Sequence, residues 1–225
     1  TSLNGECLLQ SVDGFPALVS DPWLNARLTT LHACSDLWAS GAFVRSAQCV
    51  ITLPATSAAL QKELLAQSLS GIQSALDLQG ANLIGGHTVE SRSEGSNPIS
   101  LEVQISLTIN GFLGAGIAPW TKGGFRPGDE LLLSRALGSG VLFRAAMLGG
   151  LNPHDLDAAV QQMATSQHYL IENLQKMQGQ ISDLPVVHAC TDVTGFGLLG
   201  HLGEMLNSSN NKRVSEDLSL LRVEL

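Results

Sequence analysis

Apolar and polar residues alternate in blocks along the first half of the chain, and these blocks predict a β-α-β-α-β-β order of elements. Short apolar runs between turn residues are typical of strands, while apolar positions that recur every three or four residues are typical of helices. The first helix is predicted over residues 21–40, with Asp21 as its cap and Gly41 as its stop. The other predicted elements of this half are strands over 7–13, 46–54, 81–84 and 99–112 and a helix over 57–78.

The last of these strands, over residues 99–112, alternates well enough to be long and half-buried. A strand of this length exposes a row of backbone hydrogen-bonding groups unless another strand pairs with it. We therefore expect the first half of the chain to form a homodimer, because pairing between subunits would cover that edge.

Residues 120–128 are rich in glycine and proline, which is typical of a boundary between domains. The sequence therefore predicts an N-terminal domain over residues 1–119 and a C-terminal domain over residues 120–225. In the second domain the pattern predicts a strand over 129–134, helices over 138–148 and 153–176, and a strand, turn and helix around Asp192. Mixed elements of this kind predict an α+β fold.

Three carboxylates lie near glycine at or close to the ends of predicted elements: Asp13, Asp36 and Asp192. Oxygen ligands of this kind suit Mg²⁺, and glycine-rich turns offer backbone N–H groups to phosphate. Simpler interpretations exist, because Asp36 could be a solvated helix residue and Asp192 could only cap the helix after it. The sequence contains no Walker-type phosphate loop. The residues by themselves indicate a magnesium and phosphate site without fixing the reaction.

A run of Gly85, Gly86 and His87 follows the strand predicted over residues 81–84. Two adjacent glycines allow the backbone to come close to a ligand, and His87 supplies a hydrogen-bond donor. The alternative interpretation is an ordinary turn with His87 on the surface.

The charge balance of the chain is acidic, with 12 lysines and arginines against 20 aspartates and glutamates and a net charge of −8. No basic field is present to hold a nucleic-acid backbone, so we expect no nucleic-acid partner. No apolar run reaches the ~18 residues of a membrane span, so we expect a cytoplasmic protein without a membrane partner. The four cysteines form no CxxC pair, which favours free thiols.

Four stretches carry a resemblance to a known family: VDGFPALVSDPW, HACSDLWASGA, LIGGHTVES and TDVTGFGLLGHLGEM. In sequence and order they resemble the motifs of the selenophosphate synthetases (selenide, water dikinases), whose superfamily also holds aminoimidazole ribonucleotide synthetase. The resemblance implies an enzyme that uses ATP, Mg²⁺ and selenide to make selenophosphate, AMP and orthophosphate. It also implies an N-terminal ferredoxin-like domain that closes a barrel across a homodimer, followed by a C-terminal α+β domain, here truncated.

The resemblance also implies roles for the candidate site residues. By this resemblance Asp13 contacts ATP, Asp36 contacts both ATP and the metal, and Asp192 binds the metal. The run over residues 85–87 contacts ATP that is bound mainly by the partner subunit.

The chain departs from the family pattern at its beginning and within the second motif. The family's catalytic nucleophile and essential lysine lie upstream of the position of Asp13, where no residue of this chain matches them, and the family's usual Asn is His32. We therefore expect a piece of a longer, fused protein that makes little or no selenophosphate by itself. Two alternatives stay open: a noncatalytic ATP- and magnesium-binding dimerisation module, and another synthetase or kinase of the superfamily, such as thiamine-monophosphate kinase.

Overall fold

A computed structural model describes residues 2–3, 6–91, 101–114, 116–181, 186–216 and 218–224 of the chain. The chain divides into two compact units. Unit 1 comprises Thr1–Trp38, Ala42–Ile117 and Met163–His168, and unit 2 comprises Ala39–Gly41, Ala118–Gln162 and Tyr169–Leu225. The division into domains after residue 119 stays a prediction.

Unit 1 has the element order that the first half of the sequence predicts, with one short strand added at the start. Its strands form one five-stranded sheet in the order β1-β2-β5-β3-β4, in which β3 and β4 are parallel and the other neighbours antiparallel. The elements are β1 (Ser2–Leu3), β2 (Glu6–Phe15), α1 (Pro22–Ala39), β3 (Phe43–Leu53), α2 (Ala58–Leu76), a 3₁₀ turn (Asp77–Gln79), β4 (Asn82–Glu90) and β5 (Gln104–Leu113).

Local capping explains where the two helices of unit 1 begin and end. Asp21 Oδ1 accepts a hydrogen bond from the Leu24 N–H at 2.8 Å, and Ser57 Oγ accepts one from the Leu60 N–H at 3.3 Å. Gly41 follows α1 with a φ of 75°, a left-handed conformation that favours glycine. The predicted cap at Asp21 and stop at Gly41 are confirmed.

Helices α1 and α2 pack on the same face of the sheet and cover the core of unit 1. Asn25 is buried within it, where its Nδ2 donates to the Val103 carbonyl at 3.1 Å and its Oδ1 accepts from the Leu18 N–H at 3.0 Å. On the opposite face, side chains of β2 and β3 are exposed, among them Val12 and Val50. The largest fully buried aliphatic residues of the core are Val44, Ile51, Ile72, Leu76, Ile105, Leu107, Ile109 and Leu113.

The strand predicted to expose a free edge lies inside the sheet. β5 pairs with β2 on one side and with β3 on the other. The argument that a dimer is needed to cover the edge of residues 99–112 is therefore wrong. Among the described residues, β4 is the long strand that has a neighbour on one side only. Residues 99–100 of the predicted strand lie outside the described residues.

The glycine run of residues 85–87 lies within β4, so the predicted end of the strand at residue 84 is wrong, and so is the alternative of an ordinary turn. Gly86 is opposite Cys49 of β3, where a Cβ on Gly86 would overlap the Cys49 carbonyl oxygen. Gly85 faces open space, with the Gln48 Nε2 at 4.0 Å from the position of its Cβ. Gly86 therefore marks a close approach of two strands, which a sequence pattern does not distinguish from a turn.

The described residues of unit 2 form four helices: α3 (Ser139–Met147), α4 (Pro153–Met163), α5 (His168–Ile181) and α6 (Gly197–Ser215). The helix predicted over 153–176 is two helices, because the chain leaves the helical path before Ser166, whose hydroxyl accepts from the His168 N–H at 3.4 Å. The strands predicted over 129–134 and before Asp192 are absent from the described part of unit 2. A lone extended segment has no ladder partner, and Leu132 in it is 89% exposed.

In the part of the chain that the structure describes, no helix has the length and apolar composition of a membrane span.

Candidate functional site

Four polar side chains meet where β2 lies against α1. Ser11 and Asp13 project from one face of the strand because they are two residues apart, and His32 and Asp36 share a helix face because they are four apart. The Ser11 hydroxyl donates to Asp36 Oδ2 at 2.5 Å, and His32 Nε2 lies 3.0 Å from Asp13 Oδ2. The structure thus brings the predicted residues Asp13 and Asp36 into one cluster.

The Asp13 carboxylate is held at both of its oxygen atoms. Oδ1 accepts from the Gly14 N–H at 2.6 Å, and Oδ2 faces the His32 ring, whose other neighbour is Phe15 at 5.0 Å between ring centroids. The side chains of His32 and Asp13 are 30% and 31% exposed. The carboxylate is therefore oriented by the protein and still accessible to a ligand.

Ser11 is absent from the predicted site residues, and His32 entered only as a departure from the family pattern. A signal for both exists in the sequence, because Ser11 precedes Asp13 by the strand period of two and His32 precedes Asp36 by the helical spacing of four. Only the packing of α1 on β2 shows that these two pairs meet.

The glycine run of β4 does not join this cluster within one chain. Asp13 is opposite Leu107, Leu107 is opposite Cys49, and Cys49 is opposite Gly86 in the register of the sheet. Three strand spacings of about 4.8 Å each separate Asp13 from Gly86, a distance of about 14 Å. Asp13 and the run over residues 85–87 therefore do not contact each other within one subunit.

Residues 83–88 line a groove of about 500 Å³ between β4 and α2. Leu65 and Leu69 of α2 form its apolar side, and His87 and Thr88 provide polar groups on the strand. A second cavity, of about 370 Å³, lies in unit 2 and is lined by Arg126, His188 and other residues that do not include Asp192. Of the two, only the groove on β4 contains predicted site residues.

In unit 2, Asp192 lies half-buried in a loop that is held on both sides. Before it, the Cys190 N–H donates to the Thr121 carbonyl at 2.9 Å. After it, the backbone nitrogen and the hydroxyl of Thr194 both lie 3.1 Å from His201 Nε2. Helix α6 begins at Gly197 without a side-chain cap, so Asp192 does not cap it.

The cysteines near the candidate residues are poor nucleophiles. Burial, reinforced by the charge of Asp192, raises the pKa of the Cys190 thiol to about 11. Burial also raises the pKa of Cys49, and it raises the pKa of Cys34 to about 12. The reactive form of cysteine is the thiolate, so these three thiols are unreactive near neutral pH.

The oxygen donors of the chain fit a magnesium ion that is shared with phosphate. In the described residues, no three His, Cys, Asp or Glu side chains converge to hold a metal ion by themselves. Mg²⁺ usually keeps several waters and binds through one or two carboxylates together with substrate phosphates. Within the described residues, the buried side-chain atoms without a hydrogen-bond partner are Thr191 Oγ1 and His201 Nδ1, and both adjoin the Asp192 loop. Asp36 in unit 1 and Asp192 in unit 2 are each carboxylates of this donor type.

Two family models together match most of the chain. The AIR synthase related protein N-terminal domain matches residues 2–113, and the AIR synthase related protein C-terminal domain matches residues 126–224. The chain belongs to the AIR synthase related protein family. The superfamily implied by the four sequence motifs is thereby confirmed.

Curated relatives of this AIR synthase related protein carry the name selenide, water dikinase. The relative from Pelobacter propionicus (strain DSM 2379 / NBRC 103807 / OttBd1) is 33% identical over 202 residues, which are 90% of this chain and 52% of the relative. The chain spans about half the length of the curated relatives it matches.

Solved structures of the same fold carry other names. Thiamine-monophosphate kinase from Stenotrophomonas maltophilia K279a matches with a TM-score of 0.71 and 23% identity, over 92% of this chain and 62% of that chain. The hydrogenase maturation protein HypE from E. coli matches with a TM-score of 0.68 and 21% identity, over 90% and 58%. Similarity at this identity shows the fold alone, and the predicted α+β class is confirmed.

Proposed function

We propose that this chain is the nucleotide- and metal-binding part of a selenide, water dikinase. The reaction consumes ATP, selenide and water and yields selenophosphate, AMP and orthophosphate. The observation that carries the proposal is the 33% identity, over 90% of the chain, to a relative named selenide, water dikinase. The motif TDVTGFG around Asp192 supports it, as do Asp13 and Asp36 of unit 1, which His32 and Ser11 respectively contact.

In this proposal Asp36 and Asp192 hold Mg²⁺, and Asp13 positions ATP. When bound, the ion neutralises phosphate charge that would otherwise meet an acidic protein with a net charge of −8. The protein contributes orientation, because His32 and the Gly14 N–H fix the Asp13 carboxylate while the Ser11 hydroxyl donates to Asp36.

We also propose that the active form is a homodimer with sheets that close a barrel between subunits. Its support is the distance of about 14 Å between Asp13 and Gly86, which keeps residues 85–87 out of contact with Asp13 in their own subunit. Among the described residues, β4 is a long strand with a free edge, and Ile84 on it is 60% exposed. In the homodimer, residues 85–87 contact ATP held by the partner subunit.

Calorimetric titration of Mg-ATP tests the metal assignment. We expect Asp36→Asn and Asp192→Asn each to weaken Mg-ATP binding by ~10-fold or more. Loss of a residue that only hydrogen-bonds to a metal ligand typically has an effect of this size, and loss of a ligand should have at least as large an effect. Asp77→Asn is the matched control, because Asp77 is an exposed carboxylate in the turn after α2. Affinities within twofold of the parent for both Asp36→Asn and Asp192→Asn would exclude this metal site.

Phosphorus NMR with ATP, Mg²⁺ and anaerobic selenide separates the proposed reaction from the alternatives. A selenophosphate signal identifies the dikinase. Phosphorylation of thiamine monophosphate instead identifies the kinase activity that the name of one structural neighbour suggests. Mg-ATP binding without either product is the expected result for this chain alone, and the same result in an N-terminally extended chain would identify a noncatalytic nucleotide-binding module.

A further inference from the structure

His201 is a buried polar residue on the buried side of α6. It is 6% exposed, and Leu202 and Met205 beside it on the helix are 8% exposed each. An imidazole in such surroundings lowers stability unless its nitrogen atoms find hydrogen-bond partners. The partners of this ring therefore indicate what it does.

The partners of His201 define its proton arrangement. Nε2 lies 3.1 Å from the Thr194 backbone nitrogen, which can only donate, so Nε2 accepts and the neutral ring carries its proton on Nδ1. Nδ1 is buried and has no hydrogen-bond partner among the described residues, and Glu204 Oε2 is 3.8 Å away. Glu204 itself pairs with Lys122 at 2.6 Å, and this pairing holds the pKa of Glu204 below its usual range.

The bond to Thr194 limits where Asp192 can lie. Thr194 is two residues after Asp192, and the Cys190 N–H, two residues before it, donates to the Thr121 carbonyl. The Phe196 ring meets the His201 ring edge-on, with centroids 5.9 Å apart, which adds a second contact between the loop and the helix. The carboxylate thus lies between two fixed points, one on the segment before α3 and one on α6.

We propose that His201 is a positioning residue for Asp192. Its neutral ring, as an acceptor at Nε2, holds the Thr194 backbone and thereby keeps the Asp192 carboxylate in place for a metal ion bound to phosphate. The inference rests on the proposed function, in which Asp192 is a metal ligand. Loss of such an indirect partner typically lowers metal affinity by about 10-fold to 100-fold.

Two substitutions test the acceptor at Nε2 directly. The amide oxygen of glutamine reaches the place of Nε2, whereas the shorter asparagine places its amide near Nδ1. We expect His201→Asn to weaken Mn²⁺ binding in the presence of ATP by about 10-fold or more, and His201→Gln to retain binding close to that of the parent. Mn²⁺ is the probe, because it accepts the same oxygen ligands as Mg²⁺ and its free form is measured by electron paramagnetic resonance.

Ser209→Ala in the same full chain is the matched control. Ser209 lies on the same helix, is 3% exposed, and its hydroxyl accepts from the backbone N–H groups of Gly124 and Phe125 at 3.0 and 3.1 Å. It therefore holds a different segment by the same kind of contact. We expect Ser209→Ala to lower thermal stability while leaving Mn²⁺ affinity at the parent value.

Nitrogen-15 NMR of the parent protein provides a readout that needs neither metal nor a variant. We expect the His201 ring to be the Nδ1–H tautomer at neutral pH, and a proton on Nε2 would overturn the inference.

Equal losses of Mn²⁺ affinity in His201→Asn and His201→Gln, or an equal loss in Ser209→Ala, would also overturn it. If Asp192→Asn leaves Mn²⁺ affinity unchanged, the proposed metal site itself fails. If Asp192→Asn weakens binding and His201→Asn does not, only the role of His201 fails.

Discussion

Cys34 shows how the core of unit 1 controls a single ionisable group. The thiol is fully buried on α1, and its hydrogen-bonding neighbour is the Gln79 amide, which donates to Sγ at 3.4 Å. Burial raises the pKa of Cys34 to about 12, and the Gln79 bond offsets only part of this rise. In the unfolded chain the same thiol loses its proton near its ordinary pKa of 9. Folding therefore retains a proton that unfolding releases in alkaline solution.

We expect the free energy of unfolding to fall as the pH rises between about 9 and 12, with Cys34 contributing about 1.4 kcal/mol per pH unit. The contribution is fully present below pH 9, because the thiol is then protonated in both states. Urea denaturation of the parent and of Cys34→Ala across this range isolates it, since the variant lacks this slope. Cys7→Ala, at a half-buried thiol of β2, is the control. Parallel pH dependences in the parent and Cys34→Ala would contradict the assignment.

At the scale of the element, β4 shows how two adjacent glycines can have different roles. Gly86 allows β4 to lie against the Cys49 carbonyl of β3, whereas Gly85 borders open space. Strand pairing requires Gly86, whereas Gly85 leaves β4 open on the side of the groove between β4 and α2.

We expect Gly86→Ala to lower the free energy of unfolding by about 1–3 kcal/mol, because its Cβ overlaps the backbone of β3. Gly85→Ala is the neighbouring control and should be neutral or slightly stabilising, since alanine restricts the unfolded chain and meets no obstacle here. Chemical denaturation measures both. Similar losses for the two variants would mean that strand pairing does not require Gly86.

The elements that the sequence predicts well are those whose cause is local. The bounds of α1 follow from Asp21 and Gly41, which act within a few residues of themselves. Whether residues 129–134 form a strand depends instead on a partner strand, and an apolar run does not specify that partner. The same holds for the candidate site, where Asp13 and Asp36 are recognisable from their positions but Ser11 and His32 join them through the packing of α1 on β2.

For the whole molecule, the proposed homodimer depends on the surface that unit 1 leaves uncovered. β4 has a free edge among the described residues, and the exposed face of the sheet carries apolar side chains such as Val12, which is 69% exposed. An extended edge with apolar residues beside it is normally covered in a native protein. A second copy of the chain would cover both features.

We expect the parent to sediment as a dimer at micromolar concentration and Ile84→Lys to sediment as a monomer. Ile84 is 60% exposed on β4, and a lysine there would place an unpaired charge in the subunit interface. Leu78→Lys is the control, because Leu78 is 46% exposed in the turn Asp77–Gln79, outside the sheet. A parent that sediments as a monomer would remove the dimer, and with it the role given to residues 85–87.

The separation of Asp13 from Gly86 across the sheet has a genetic consequence. In the proposed homodimer each nucleotide site takes its carboxylates from one subunit and its residues 85–87 from the other. A chain defective at Asp13 and a chain defective at His87 would then complement each other, because their mixed dimer contains one site built entirely from intact residues. Defects at Asp13 and Asp36, which meet on the same subunit, would fall into a single complementation group.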